Sequence, residues 1–243
     1  MEAADAFIRG RVSIMASMAY NDGGTSLVRG QRVTGRFAQP VDQVATRLFD
    51  VTVSLALLVF LAPLMILVAI LVVATNPGPV IFGHKRLGRD GRTFHCLKFR
   101  SMVTDSQERL AVLLANDARA RQEWERDHKL KNDPRITSIG VFLRKSSLDE
   151  LPQLFNVLRG DMSLVGPRPI VNDEVPRYGR YFSHYVQVRP GITGLWQVSG
   201  RNNTTYRRRV AMDVAYSRSR SLTLNIKILM MTVPSVLRAK GSY

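Results

Sequence analysis

The run from Val51 to Thr75 carries no charged residue, and it limits what the chain can become more than any other feature. At about 1.5 Å of rise per residue, a helix of that length exceeds the roughly 30 Å hydrocarbon core of a bilayer. A membrane helix is the direct expectation, but two features argue against a simple crossing. Pro63 stands near the middle, where it removes a backbone donor and crowds the preceding turn. Arg32, Arg36 and Arg47 precede the run, while Lys85, Arg86, Arg89 and Arg92 follow it. A spanning helix leaves one basic flank outside, against the positive-inside tendency. A helix that enters, bends at Pro63 and returns keeps both flanks in the cytoplasm. The carbonyl freed near Val59 then needs a partner such as Ser54 or Thr52. The expectation is a re-entrant hairpin broken at Pro63, with a transmembrane helix as the alternative.

Around this run the chain divides into three parts. Residues 1–40 lack sustained periodicity and carry clusters such as Asn21-Asp22-Gly23-Gly24, as a flexible tail does. The arginines there, and the late, long apolar run, are unlike a signal peptide. Residues 41–76 form the membrane segment, and 77–243 are expected to form one compact domain. Asn76-Pro77-Gly78-Pro79 stops any helix. Val80-Ile81-Phe82 and Thr93–Phe99, around Asp90-Gly91, read as a β-hairpin. Ser106 to about Asp127 reads as one helix, Leu151–Arg159 as a second ending at Gly160, and Leu222–Leu237 as an apolar terminal helix broken at Pro234. The fold class is α+β, predominantly helical.

Lys and Arg total 35 against 19 Asp and Glu, a formal net charge of +16. Such an excess calls for anionic partners: nucleic acid, acidic lipid or phosphorylated substrates. No nucleic-acid-binding motif is present, and the apolar run suits that role poorly. Cys96 is the only cysteine, which excludes an intrachain disulfide. The scattered His84, His95, His128 and His184 lack metal-ligand spacing.

Chemistry concentrates between Arg144 and Leu154. Ser147-x-x-Glu150 fits a capping box, with Asp149 in the first helical turn. The same geometry suits catalysis, because the helix dipole holds a carboxylate ionised there. An ionised Asp can attack phosphorus, and a carboxylate beside it can hold Mg2+. Arg144 and Lys145 offset the repulsion between such carboxylates and phosphates. Arg168 stands between Pro167 and Pro169, a rigid mount for bidentate phosphate binding. Arg189-Pro190-Gly191 is another rigid turn, and Gln197 and Arg201 follow it.

Taken in order, these segments resemble the bacterial sugar transferase family, the monotopic phosphoglycosyl transferases. The resemblance runs from Arg47 to Tyr243. It rests on Arg47-Leu48-Phe49-Asp50, Lys98-Phe99-Arg100-Ser101-Met102, Ser147-Leu148-Asp149-Glu150-Leu151-Pro152-Gln153, Gly160–Pro169 and Arg189-Pro190-Gly191-Ile192-Thr193-Gly194. It implies a cytoplasmic catalytic domain on the bacterial inner membrane, anchored by a re-entrant helix at Pro63. Asp149 is then the nucleophile and Glu150 the Mg2+ ligand. Lys98, Arg144, Arg168 and Arg189 become phosphate-binding cations, with nucleotide contacts between Gln197 and Arg201. The implied reaction moves a hexose-1-phosphate, galactose or glucose, from a UDP-sugar to undecaprenyl phosphate, a polyprenyl phosphate carrier. It releases UMP through an Asp149 adduct and opens exopolysaccharide synthesis. A one-step metal-dependent transfer and a non-catalytic scaffold are the alternatives. The sequence leaves a homodimer open.

Overall fold

The computed structural model describes residues 40–127, 130, 132–199 and 204–237. The expected tail up to residue 39, Arg201 and the final segment 238–243 lie outside the described residues.

Helix α1 (Pro40–Thr75) is the longest element, and Pro63 lies inside it. The assignment is helical on both sides of Pro63 without an intervening turn, so the chain does not leave the helix at the expected break. A single proline removes one donor and bends a helix, and the flanking hydrogen bonds carry it through. Both halves of α1 pack on the rest of the chain. Asp50, Ser54 and Leu58 are buried in the first half, Val68 and Val72 in the second. The opposite face is bare and apolar: Leu48, Val59, Phe60, Ile66 and Ile70 are each at least 60% exposed.

Strands β1 (Ile81–Leu87) and β2 (Thr93–Phe99) form the expected antiparallel hairpin, in register from Ile81↔Phe99 to Leu87↔Thr93. Asp90 and Gly91 both take positive φ at its turn, which is what an Asp-Gly pair supplies. The single charged helix expected after it is two, α2 (Ser106–Asn116) and α3 (Ala118–Asp127). Asp117 separates them in an extended conformation. Its Oδ1 accepts from the N–H groups of Arg119 (2.8 Å) and Ala120 (3.0 Å), so this aspartate starts a new helix.

Helix α4 (Ser138–Ser146) is capped by Thr137, whose Oγ1 accepts from the Gly140 N–H at 3.0 Å. Helix α5 (Gln153–Arg159) ends at Gly160, φ 91°. Strands β3 (Ser163–Val165) and β4 (Gly191–Thr193) pair in parallel. Their backbones approach so closely that a Cβ on Gly166 or Gly191 would strike the facing main chain. Short helices α6 (Val175–Tyr178), α7 (Phe182–Val186) and α8 (Leu195–Ser199) lead to α9 (Tyr206–Ser219) and α10 (Leu222–Leu237). Pro234 lies within α10 rather than ending it. The main core joins Leu154, Val157, Met162, Leu164, Trp196 and Met212 with Leu58 of α1. A second cluster sets Val68 and Val72 against Phe99 and Leu143. Each such side chain, fully buried, contributes roughly 1.5–3 kcal/mol.

Candidate active site

Asp149 and Glu150 occupy a 3-10 turn, Leu148–Glu150, wedged between α4 and α5. The expected capping box does not form. Ser147 takes the left-handed conformation (φ 59°, ψ 16°) that closes α4, and its side chain makes no capping bond. A non-glycine residue held there stores local strain, which clusters at functional turns. The Ser-x-x-Glu pattern therefore marks a helix exit, and α5 begins only at Gln153.

Lys98 of β2 reaches across to this turn. Its Nζ donates to Asp149 Oδ2 at 3.3 Å and to Glu150 Oε1 at 2.6 Å, so one ammonium bridges both carboxylates. Asp149 is buried, 7% exposed. Its carboxyl is pushed above the usual value, first by burial and then by Glu150, against the pull of Lys98 and Arg144. At Glu150 burial pushes the same way. It is outweighed by the charge and hydrogen bond of Lys98, the charge of Arg168 and a hydrogen bond from Gln153, so this carboxyl lies low. The neighbours thus separate into one carboxylate held ionised and one easier to protonate.

A shallow cleft opens beside the pair, lined by Arg86, Cys96, Lys98, Glu150, Gln153, Arg168 and Gln197. Arg168 is exposed between two buried prolines, as the Pro-Arg-Pro spacing predicts. Arg86 donates to the Pro169 carbonyl at 3.2 Å and pairs with Glu174 at 3.6 Å, which steadies that loop. Gln197 gives its amide N–H to the Ile192 carbonyl at 3.1 Å, while its buried Oε1 has no partner among the described residues. Arg144 donates Nε to Ser101 Oγ at 2.9 Å and acts on Asp149 through its charge. Asp149 is not part of that lining, but its partner Lys98 is.

The structure therefore gathers Lys98, Arg144, Asp149, Glu150, Arg168 and Gln197. Arg189 is not with them: its Nε is turned to the Gly160 carbonyl at 2.8 Å, and it lines a different cleft. Rigidity of the Arg-Pro-Gly turn was legible, its facing was not. Arg86 and Gln153 carried no role in the sequence reading. Gln153, three residues beyond Glu150, was within reach of it on any helical path. Arg86 passed for a membrane-flanking charge, and only the hairpin register brings it to the cleft.

The bacterial sugar transferase family model matches residues 41–239. The chain belongs to the bacterial sugar transferase family. An undecaprenyl-phosphate galactose phosphotransferase of Salmonella typhimurium is 53% identical over 212 residues, 87% of this chain and 44% of that protein. A UDP-galactose-lipid carrier transferase of Erwinia amylovora is 50% identical over the same shares. The exopolysaccharide production protein ExoY of Rhizobium meliloti is 45% identical over 205 residues, 84% of this chain and 91% of that protein. The chain thus spans less than half the length of the first two relatives and most of the third.

Proposed function

We propose that this chain is a phosphoglycosyl transferase that moves a hexose-1-phosphate from a UDP-sugar to undecaprenyl phosphate in exopolysaccharide synthesis. The reading is carried by the Lys98-bridged Asp149–Glu150 pair beside Arg168 and Arg144. Two carboxylates gathered with this many cations are fitted to phosphates, whose charge is the main obstacle to transfer. The names of the relatives supply the substrate class; galactose and glucose both occur among them.

In the first step an Asp149 carboxylate oxygen attacks the sugar-bearing phosphorus. A phosphorus–oxygen bond forms, the bond between the attacked phosphorus and the oxygen bridging the two phosphorus atoms breaks, and UMP leaves with that oxygen and the electron pair. In the second step a polyprenyl phosphate oxygen attacks the same phosphorus and Asp149 departs as carboxylate. Lys98 exchanges one carboxylate for a phosphate oxygen as the donor enters, which uncovers Asp149. Arg168 and Arg86 hold the diphosphate, and Gln197 Oε1 is an acceptor for a nucleotide N–H.

The pair also fits Mg2+, which takes one or two carboxylates and completes its shell with phosphate and water. Glu150, kept ionised by its neighbours, is the residue to hold it. When bound, the ion supplies further offset of phosphate charge.

Asp149→Asn is expected to abolish both transfer and a radiolabelled sugar-phosphate adduct on the protein. Transfer that persists without any adduct in the unmodified enzyme would instead establish direct attack by the lipid phosphate.

A further inference from the structure

A second charged cleft lies apart from the Asp149–Glu150 pair, where the first turns of α1 meet the β1–β2 turn, β3 and the α9–α10 junction. Arg47, Arg89, Arg189 and Arg220 line it, and Asp42 and Asp50 are its acidic members. Four guanidiniums against two carboxylates leave it cationic. Structural duties absorb part of this charge. Arg47 donates to the carbonyls of Val157 (2.6 Å) and Leu158 (2.9 Å), Arg189 to Gly160, and Arg220 to the Gln187 carbonyl at 3.2 Å. Asp50 accepts from the Leu164 N–H at 3.1 Å.

One donor is left over. The Nε of Arg89 is buried without a hydrogen-bond partner among the described residues, its ion-pair partner Asp90 standing 3.7 Å away. The Ser163 hydroxyl, buried in the same lining, is turned to the Asp50 carboxylate. Burial, then the charges of Arg47, Arg89 and Arg220, make Arg189 less willing to hold its proton. Like charges gathered this closely raise the energy of the empty cleft, and a bound anion lowers it. This cleft and the one beside Glu150 have no lining residue in common.

We propose that the Arg47–Arg89–Arg189–Arg220 cleft is a second binding site, specific for a phosphate group. Guanidinium forks match phosphate oxygens two at a time. Val44 and Leu48, on the same turns of α1, are exposed and apolar, so the group has two sources. One is an anionic lipid headgroup at the membrane surface, the other a soluble phosphate or diphosphate.

The test uses the full chain and reads individual arginines. Phenylglyoxal modification, followed by mass spectrometry, is run in detergent with and without inorganic diphosphate. It is repeated in vesicles of phosphatidylglycerol and of phosphatidylcholine. At least threefold slower modification of Arg89 and Arg220 is expected in one anionic condition. Protection by diphosphate identifies a soluble anion, and protection confined to phosphatidylglycerol identifies a headgroup. Equal rates in all four conditions overturn the proposal. Asp149→Asn is expected to keep the protection, so this site stands or falls independently of the transfer chemistry. In Arg89→Gln/Arg220→Gln, Arg189 is expected to lose its protection; retained protection also overturns the proposal.

Discussion

Lys98 pulls both carboxyls down against their burial, and removing it gives a signed prediction. Without the ammonium, Asp149 and Glu150 repel each other at close range and both carboxyls rise. Activity that requires ionised Asp149 then sets in at higher pH. For Lys98→Met we expect the acid limb of the pH–rate profile to move upward. Transfer at neutral pH should fall about 10- to 100-fold, the scale of one lost charge-assisted interaction of about 1.5–3 kcal/mol. Asp213 offers a second case at this scale. It is buried in α9, accepts from the Tyr178 hydroxyl at 2.7 Å, and burial lifts its carboxyl to about 7. An unfolded aspartate titrates near 3.9, so between those values the folded state binds the extra proton. The stability it contributes is complete below about pH 4 and is lost as pH rises through about 7. Relative to Asp213→Asn, thermal melting of the unmodified chain should drop over that interval; parallel curves would refute it. Neither the bridging by Lys98 nor the burial of Asp213 was legible in the sequence. Asp213 sits in an arginine-rich segment that the sequence reading left unassigned, and it is Tyr178 of α6 that gives it a buried partner.

Among the elements, α4 carries the turn that holds the site, and its docking depends on Gly140. A Cβ there would collide with the Ser101 carbonyl, which accepts the Thr137 N–H at 3.1 Å. The same serine's hydroxyl takes Arg144. Gly140→Ala should therefore cost about 1–3 kcal/mol as overpacking. It should also lower transfer by displacing Arg144, measured as melting temperature and activity on the same preparation. The elements legible beforehand had local causes: Asp90-Gly91 forces a tight turn, Gly160 ends a helix, and Pro77-Gly78-Pro79 stops one. Those misread had competing local causes. Ser147-x-x-Glu150 satisfies the rule for starting a helix, but the chain uses Ser147 to leave one. Asp117 interrupts a good helical pattern because its side chain caps the next helix better than it extends the last.

At the scale of the whole molecule, the packing of α1 bears on how the chain meets a membrane. A helix crossing a bilayer perpendicular to it leaves its central turns clear of any domain in water. Here the buried residues of α1 run from Asp50 to Val72, so the domain lies against nearly its whole length. Beside the uncovered face of α1, from Leu48 to Ile70, the described residues also leave Phe82, Phe142, Met230 and Val233 exposed on other elements. An apolar face running along most of a helix exceeds what a monomer in water tolerates. It is satisfied if this side of the molecule sinks into one leaflet while both ends of α1 stay on one face, the outcome the basic flanks favour. Val44→Cys and Lys85→Cys place reporters in the first turns of α1 and in β1 beyond its far end, and native Cys96 is buried at 3% exposure and stays silent. In intact cells a membrane-impermeant maleimide should label neither, and after permeabilisation it should label both. Labelling of one reporter alone in intact cells would establish a crossing. It would require the domain to separate from one half of α1, with Val68 and Val72 or Asp50 and Leu58 exposed.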